Sequence, residues 1–139
     1  KEFFWESTYV AKNLCRDELL PLKYSLETVM KTDLLRRMLE WKIGIESGWT
    51  IQSGVLGKGL KSKLPPEIWS EFEATFVTAE SEQNWEALFA TIRLFSATAI
   101  LVAEALGFTY PTTLEKRVTL YIRRLRVEPL CSTNHSDTC

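Results

Sequence analysis

The chain has 139 residues, which is the size of one domain and enough to bury one hydrophobic core. Hydrophobic residues make up 45% of it and charged residues 25%, values typical of globular proteins and unlike those of disordered chains. Its 17 Lys and Arg residues balance 18 Asp and Glu residues, so no net charge attracts the whole domain to nucleic acid or to an anionic membrane. We therefore expect neither nucleic acid nor a membrane as a partner.

Three further features of the sequence bear on its compartment. The longest mostly apolar stretch, residues 85–108, contains Glu86, Arg93 and Glu104, which argues against a membrane span. The chain begins at Lys1 without Met and runs at once into a helical pattern, as a fragment or a processed chain does. Two of the three cysteines lie in a polar tail and form no secreted disulfide framework. We predict a cytoplasmic location.

Helical periodicity dominates the first half of the chain, and strand signals are scarce. A second helix is predicted over residues 17–31. Thr32 or Asp33 is a suitable N-cap for a third helix, which ends before Gly48. The first helix, over residues 2–15, carries an apolar stripe at helical spacing that consists of Phe3, Phe4, Ser7, Val10, Ala11, Leu14 and Cys15.

The second half of the chain continues the helical pattern. Glycines and lysines between residues 48 and 64 predict a loop that holds one short helical turn. A fourth helix begins at Pro65-Pro66, and a long fifth helix runs over about 81–106 until Gly107 ends it. The last helix is predicted to start with a capping box, Thr112-x-x-Glu115.

These segments predict an all-α fold, a bundle of about six helices over residues 1–127, followed by a flexible polar tail over residues 128–139. The tail spaces Cys131, His135 and Cys139 like metal ligands, but it supplies three groups and no fourth. We therefore predict no metal site.

The first helix also carries a second stripe, next to the apolar one. Trp5, Tyr9, Lys12 and Arg16 recur at helical spacing, so two aromatic rings and two cations share one face. The cations are suited to phosphate oxygens, and the rings offer a flat surface to a base or a sugar. Pattern alone favours the alternative, an amphipathic rim of the bundle with half-buried rings.

Acidic residues and missing motifs limit the chemistry of the chain. Asp17 and Glu18 follow the stripe directly, and Glu46 is another acid available to a polycationic ligand, although isolated surface carboxylates are more often only solvated or helix-stabilising. No Asp-x-Asp pair is present to hold magnesium, no GxxxxGK[ST] loop is present to cradle phosphates, and the one histidine lies in the tail. We expect the chain to catalyse nothing by itself.

Four blocks of sequence, in order, resemble one family of bacterial enzymes. Residues 4–20 read FWESTYVAKNLCRDELL, and shorter blocks read LEWKIGIE at 39–46, WEALF at 85–89 and FTYP at 108–111. Together they resemble the aminoglycoside 6-adenylyltransferases, the streptomycin-modifying enzymes. Several separate blocks that match together are far more specific than one short motif.

In that family, a polymerase-β-like amino-terminal domain transfers AMP from magnesium ATP to a drug hydroxyl, and a carboxy-terminal helical domain forms the other wall of the cleft. The resemblance implies that residues 1–127 are this substrate-binding domain without the catalytic domain, and that ATP and Mg are held mainly by the missing part. It implies that Lys12 and Arg16 bind ATP, and that the drug is bound by Trp5, Tyr9, Asp17, Glu18 and Glu46. A stand-alone helical binding module that kept the fold without catalysis is the alternative.

Overall fold

The computed structural model describes residues 1–128, and every regular element in that range is helical. The elements between Leu19 and Glu46 form one continuous helix, so the described range has six α-helices. This confirms the predicted all-α bundle. The predicted tail lies outside the described residues from 129 onwards. In chain order the elements are α1 (Glu2–Cys15), α2 (Leu19–Lys23), a π-helical segment (Tyr24–Leu35), α3 (Arg36–Glu46), a 3-10 turn (Val55–Gly57), α4 (Leu60–Lys63), α5 (Pro66–Glu73), α6 (Ser81–Leu106) and α7 (Thr112–Val127).

Helix α1 buries the apolar stripe that its sequence predicts. The ring of Phe3 stacks on Phe95 of α6 with centroids 3.7 Å apart and planes 6° apart, and Phe4 meets the same ring edge-on. Val10, Ala11 and Leu14 are buried further along the same face. Because this face is packed against α6, α7 and the π-helical segment, the opposite face of α1 points outward.

The long helix over residues 19–46 corrects the prediction of two separate helices with a cap at Thr32 or Asp33. Thr32 donates its hydroxyl hydrogen bond to the carbonyl of Glu27 at 2.8 Å, so it is satisfied inside the helix and caps nothing. The buried residues Leu26, Met30 and Leu35 hold the π-helical segment against the core. Polar side chains that bond to their own helix do not mark a helix end.

Helix α6 has the predicted bounds, and its two caps explain them. The carboxylate of Glu80 accepts hydrogen bonds from the backbone N–H groups of Glu82 and Gln83, which satisfies two orphan donors of the first turn. Gly107 adopts a left-handed conformation with φ of 76°, which ends the helix without the steric cost of a Cβ atom.

Helix α6 is also the one described element that is long and apolar enough to cross a membrane by length and composition. This corrects the argument that its charges rule out a span by composition alone, because they are spaced so that an 18-residue window contains no more than two. Half of that window is buried inside the bundle, as in a helix that lines a protein core. This burial argues that α6 belongs to the core.

Helix α7 starts at Thr112, as the sequence predicts, but without the predicted capping box. Pro111 occupies the N-cap position, and no side chain caps the helix there. Thr112 is therefore the first residue of the helix and cannot act as its cap. The buried residues Ile122 and Leu125 attach the second half of α7 to the core.

A buried lysine joins the π-helical segment to the loop between α5 and α6, and sequence reasoning did not single it out. The side chain of Lys31 is fully buried, and its ammonium group donates to both carboxylate oxygens of Glu27 at 2.9 Å and to the carbonyl of Thr75 at 2.6 Å. It also lies 4.1 Å from the ring centroid of Phe76. Burial lowers the pKa of Lys31, and the carboxylate of Glu27 opposes that shift.

We expect Lys31→Met to lower the free energy of unfolding by about 2 to 3 kcal/mol, because the change leaves the buried carbonyl of Thr75 without its donor. Chemical denaturation followed by far-ultraviolet circular dichroism measures this difference. Lys23→Met is the matched control, since Lys23 lies 3.8 Å from the same Glu27 but is partly exposed. The control should lose less than about 1 kcal/mol. Equal losses in the two variants would contradict a special role for Lys31.

Candidate functional site

The outward face of α1 carries the four residues of the predicted second stripe. Trp5 is 64% exposed and Tyr9 47% exposed, and Arg16 is exposed at the C-cap of the helix. Lys12 is half-buried, with its ammonium nitrogen 5.6 Å from the ring centroid of Tyr9. Within residues 1–128, neither Lys12 nor Arg16 takes part in an ion pair. Their charges are therefore available to an external anion.

Asp17 and Glu18 lie in the tight turn between α1 and α2. Asp17 has a left-handed backbone with φ of 55°, and its N–H bonds to the carbonyl of Leu14 while the N–H of Glu18 bonds to the carbonyl of Asn13. This pair of bonds is a Schellman motif, in which aspartate takes the position that glycine most often holds. The backbone of Asp17 therefore has a structural task, while its side chain is exposed, as is that of the next residue, Glu18.

Glu46 is not brought to this turn. It ends α3 and pairs with Lys42, whereas Glu18 precedes α2 at the other end of the same long helix. At a rise of about 1.5 Å per residue, the two ends are separated by roughly 40 Å. Of the three acids proposed for a polycationic ligand, the structure groups only Asp17 and Glu18.

The LEWKIGIE block has a structural explanation in the fold. Glu40 accepts hydrogen bonds from Arg36 at 2.9 Å and from Ser53 at 2.5 Å, which ties α3 to the loop that follows. Gly44 is buried under the indole ring of Trp49, and a Cβ atom at Gly44 would overlap that ring. These contacts hold the loop after α3 and account for the glycine in the last turn of that helix.

A groove between α1 and α7 adjoins the stripe, and sequence reasoning missed it. The α1–α7 groove has a volume of about 240 Å³. Thr8 adds the one small polar side chain of its lining. The spacing of the α7 residues that line the groove, at positions 114, 117, 118 and 121, is the signal that could have indicated a shared face. The other lining residues are Phe4, Trp5, Leu114, Arg117, Val118 and Tyr121.

A second cationic region, between α6 and α7, is partly neutralised. Arg126 donates hydrogen bonds to Glu82 at 2.8 Å and to Glu86 at 2.7 Å, and these carboxylates raise its pKa. Its guanidinium carbon also lies 5.7 Å from the ring centroid of Phe89. Arg126 thus joins α7 to α6, and this contact is exposed to screening by solvent and salt.

The described residues contain no group of three or more His, Cys, Asp or Glu side chains that could hold a metal ion. The candidate trio of Cys131, His135 and Cys139 lies outside the described residues. A magnesium ion prefers several oxygen ligands at short distance, and the turn with Asp17 and Glu18 offers two neighbouring exposed acids. We therefore assign no metal to this part of the chain.

Comparison with known proteins places the chain in a family. A family model described as streptomycin adenylyltransferase matches residues 1–125. An aminoglycoside 6-adenylyltransferase of Campylobacter jejuni is 32% identical over 123 residues, which cover 88% of this chain and 42% of the relative. The enzyme of the same name from Bacillus subtilis (strain 168) is 33% identical over 110 residues, covering 79% of this chain and 38% of the relative.

The fold agrees with the sequence match. The crystal structure of an aminoglycoside 6-adenyltransferase from Bacillus subtilis superposes with a TM-score of 0.80 and 30% sequence identity, covering 90% of this chain and 47% of that one. The chain therefore spans about 40% of the length of the sequence relatives. With a family model that matches almost the whole helical bundle, the chain belongs to the streptomycin adenylyltransferase family.

Proposed function

We propose that this helical domain forms one wall of the cleft in which an aminoglycoside 6-adenylyltransferase transfers AMP from ATP to a streptomycin-like drug. The other wall is a nucleotidyltransferase domain that binds magnesium ATP. The observation that carries the proposal is the outward face of α1, where Lys12 and Arg16 have no ion pair within residues 1–128 and stand beside two exposed aromatic rings. Membership of the family supports the reaction class.

The charges around α1 suit a reaction between an anion and a polycation. Lys12 and Arg16 supply positive charge for the triphosphate, and Asp17 and Glu18 supply negative charge for the guanidinium or ammonium groups of the drug. Asp17 is five positions after Lys12, which corresponds to a rise of about 7 to 8 Å along a helix axis. Opposite substrate charges can thus lie side by side on one wall, with Trp5 and Tyr9 as flat surfaces next to them.

In the proposed reaction a drug hydroxyl oxygen attacks the α-phosphorus of ATP and gives up its proton to a base of the nucleotidyltransferase domain, the bond to the bridging oxygen breaks, and pyrophosphate leaves. Negative charge grows on the leaving pyrophosphate as that bond breaks. A lysine that contacts the leaving phosphates therefore binds the transition state more tightly than the ground state. We assign this role to Lys12, with Arg16 one turn further along α1 as a second contact.

The first prediction of this proposal concerns turnover. In the protein that contains both domains, Lys12→Ala should lower kcat on the order of a hundredfold, because it removes one electrostatic partner of the leaving group. The drug KM should change little. Steady-state kinetics with ATP and streptomycin both varied measures the two constants.

Lys61→Ala is the matched control for Lys12→Ala, since Lys61 is an exposed lysine on α4. The control should keep wild-type kinetics, and both variants should keep the wild-type circular dichroism spectrum. Wild-type kinetics for Lys12→Ala would show that the α1 stripe is only the rim of a bundle. The functional assignment of that stripe would then have to be withdrawn.

The second prediction concerns drug binding. Asp17→Asn and Glu18→Gln should raise the KM for streptomycin while the KM for ATP stays nearly unchanged, because each removes one carboxylate from the drug side. Asparagine tolerates the left-handed backbone of residue 17, so this variant separates charge from folding, as alanine would not. Equal rises in both KM values would indicate a general disturbance of the turn and would count against the assignment.

The proposal also predicts what the gene encodes upstream of Lys1. An amino-terminal domain with paired aspartates is expected, since the relatives are more than twice as long as the matched region. Sequencing the upstream region checks this. A reading frame that opens near Lys1 would instead favour a helical binding module without catalysis.

A further inference from the structure

The α1–α7 groove lies beside the cationic stripe but belongs to a different pair of elements. We infer that this groove binds the adenine base of ATP, an inference that rests on the proposed function and extends the nucleotide site to α7. It assigns Trp5 to the nucleotide and leaves Tyr9, Asp17 and Glu18 to the drug. It also names Arg117 and Tyr121 as further nucleotide contacts.

The geometry of the groove suits one flat ring system. Its volume of about 240 Å³ is below the roughly 300–1,000 Å³ of sites that enclose a whole drug-sized ligand. Its walls include the rings of Trp5 on α1 and Tyr121 on α7, and its other lining is mostly aliphatic or aromatic. A base that stacks on an aromatic side chain gains about 1 to 3 kcal/mol. The groove therefore fits a base better than a whole nucleotide or a whole aminoglycoside.

The charge of the groove discriminates between the two substrates. Among residues 1–128, Arg117 is the one charged side chain that lines the groove, and no carboxylate of that range lines it. A polycationic, polyhydroxylated drug would meet an apolar wall and a like charge there. A nucleotide carries negative charge and a flat base that can accept hydrogen bonds from a guanidinium group. Charge and polarity thus both favour ATP.

The position of Arg117 is not explained by helix electrostatics. Arg124 and Arg126 lie in the last turn of α7, where cations stabilise the helix dipole. Arg117 lies in the first half of α7, where that effect is absent or unfavourable. Within residues 1–128 it forms no ion pair. A ligand that occupies the groove gives this cation a partner.

The groove runs along α1 in the direction of Lys12, the proposed phosphate contact. Helices α1 and α7 run parallel, because Phe4 and Leu114 share the groove near their starts and the thiol of Cys15 donates to the carbonyl of Leu125 near their ends. Lys12 lies two turns after Trp5 on the same stripe, a rise of about 10 Å. A base at Trp5 therefore leaves the triphosphate room to extend along α1 to Lys12.

Binding of ATP to the protein that contains both domains tests the inference, because this chain supplies only one wall of the proposed cleft. Without magnesium, two-dimensional NMR should show that ATP shifts the indole N–H signal of Trp5, which is identified among the tryptophans by its loss in Trp5→Phe. Arg117→Gln should weaken ATP binding about tenfold, because it removes one charge-assisted contact. Lys116→Gln carries the same change of charge on a neighbouring exposed residue and should bind ATP like the wild type.

Other ligands separate the outcomes of this experiment. Tripolyphosphate, which has no base, should leave the Trp5 signal in place while it shifts residues around Lys12. An equal shift of the Trp5 signal by tripolyphosphate, a shift by streptomycin but not by ATP, or no shift at millimolar ATP would each overturn the inference. None of these results changes the expected loss of turnover in Lys12→Ala. The base site can therefore be disproved while the proposed role in the cleft stands, and the reverse also holds.

Discussion

The packing of α1 against the core, which includes its aromatic contacts with α6, is the constraint on which the exposed face of α1 depends. Phe3 and Phe4 both engage the ring of Phe95, and these aromatic contacts are directional as well as apolar. A rotation of α1 by even one residue, about 100°, would break them and bury a different stripe. The same contacts therefore fix which residues of α1 remain exposed. The outward positions of Trp5, Tyr9 and Lys12 therefore follow from the packing of other α1 residues in the core.

A second constraint acts at the end of α1, where the chain must reverse into the long helix within three residues. The Schellman motif at Asp17 achieves this by placing a non-glycine residue in a left-handed conformation. Glycine would fit the backbone with less strain, but it would remove a carboxylate from the turn. An aspartate at this position is consistent with a charge that has a use beyond the fold. One turn thus positions the proposed drug-binding acids and also directs the chain from α1 into the long helix.

Local signals in the sequence were enough to predict α1 and α6, because an uninterrupted apolar stripe and a strong stop such as Gly107 act within a few residues. They failed at Thr32 and at Thr112, where a good capping residue is present but its cap is not formed. The exposed stripe of α1 could be read from spacing. The α1–α7 groove could not, because its two walls are about a hundred residues apart and nothing local indicates that they lie side by side.

Buried polar contacts follow the same division between local and distant signals. Lys31 is bonded to Glu27 one turn away, which a helical spacing suggests, but the carbonyl that completes its shell belongs to Thr75. A lysine is rarely buried without such partners, since its charge must be satisfied. The bond from Lys31 to Thr75 ties the π-helical segment to the loop before α6. Helix α6 in turn carries Phe95. The π-helical segment that Lys31 anchors also packs directly against α1, so a loss of the Lys31 contacts should disturb the support of the cationic face of α1.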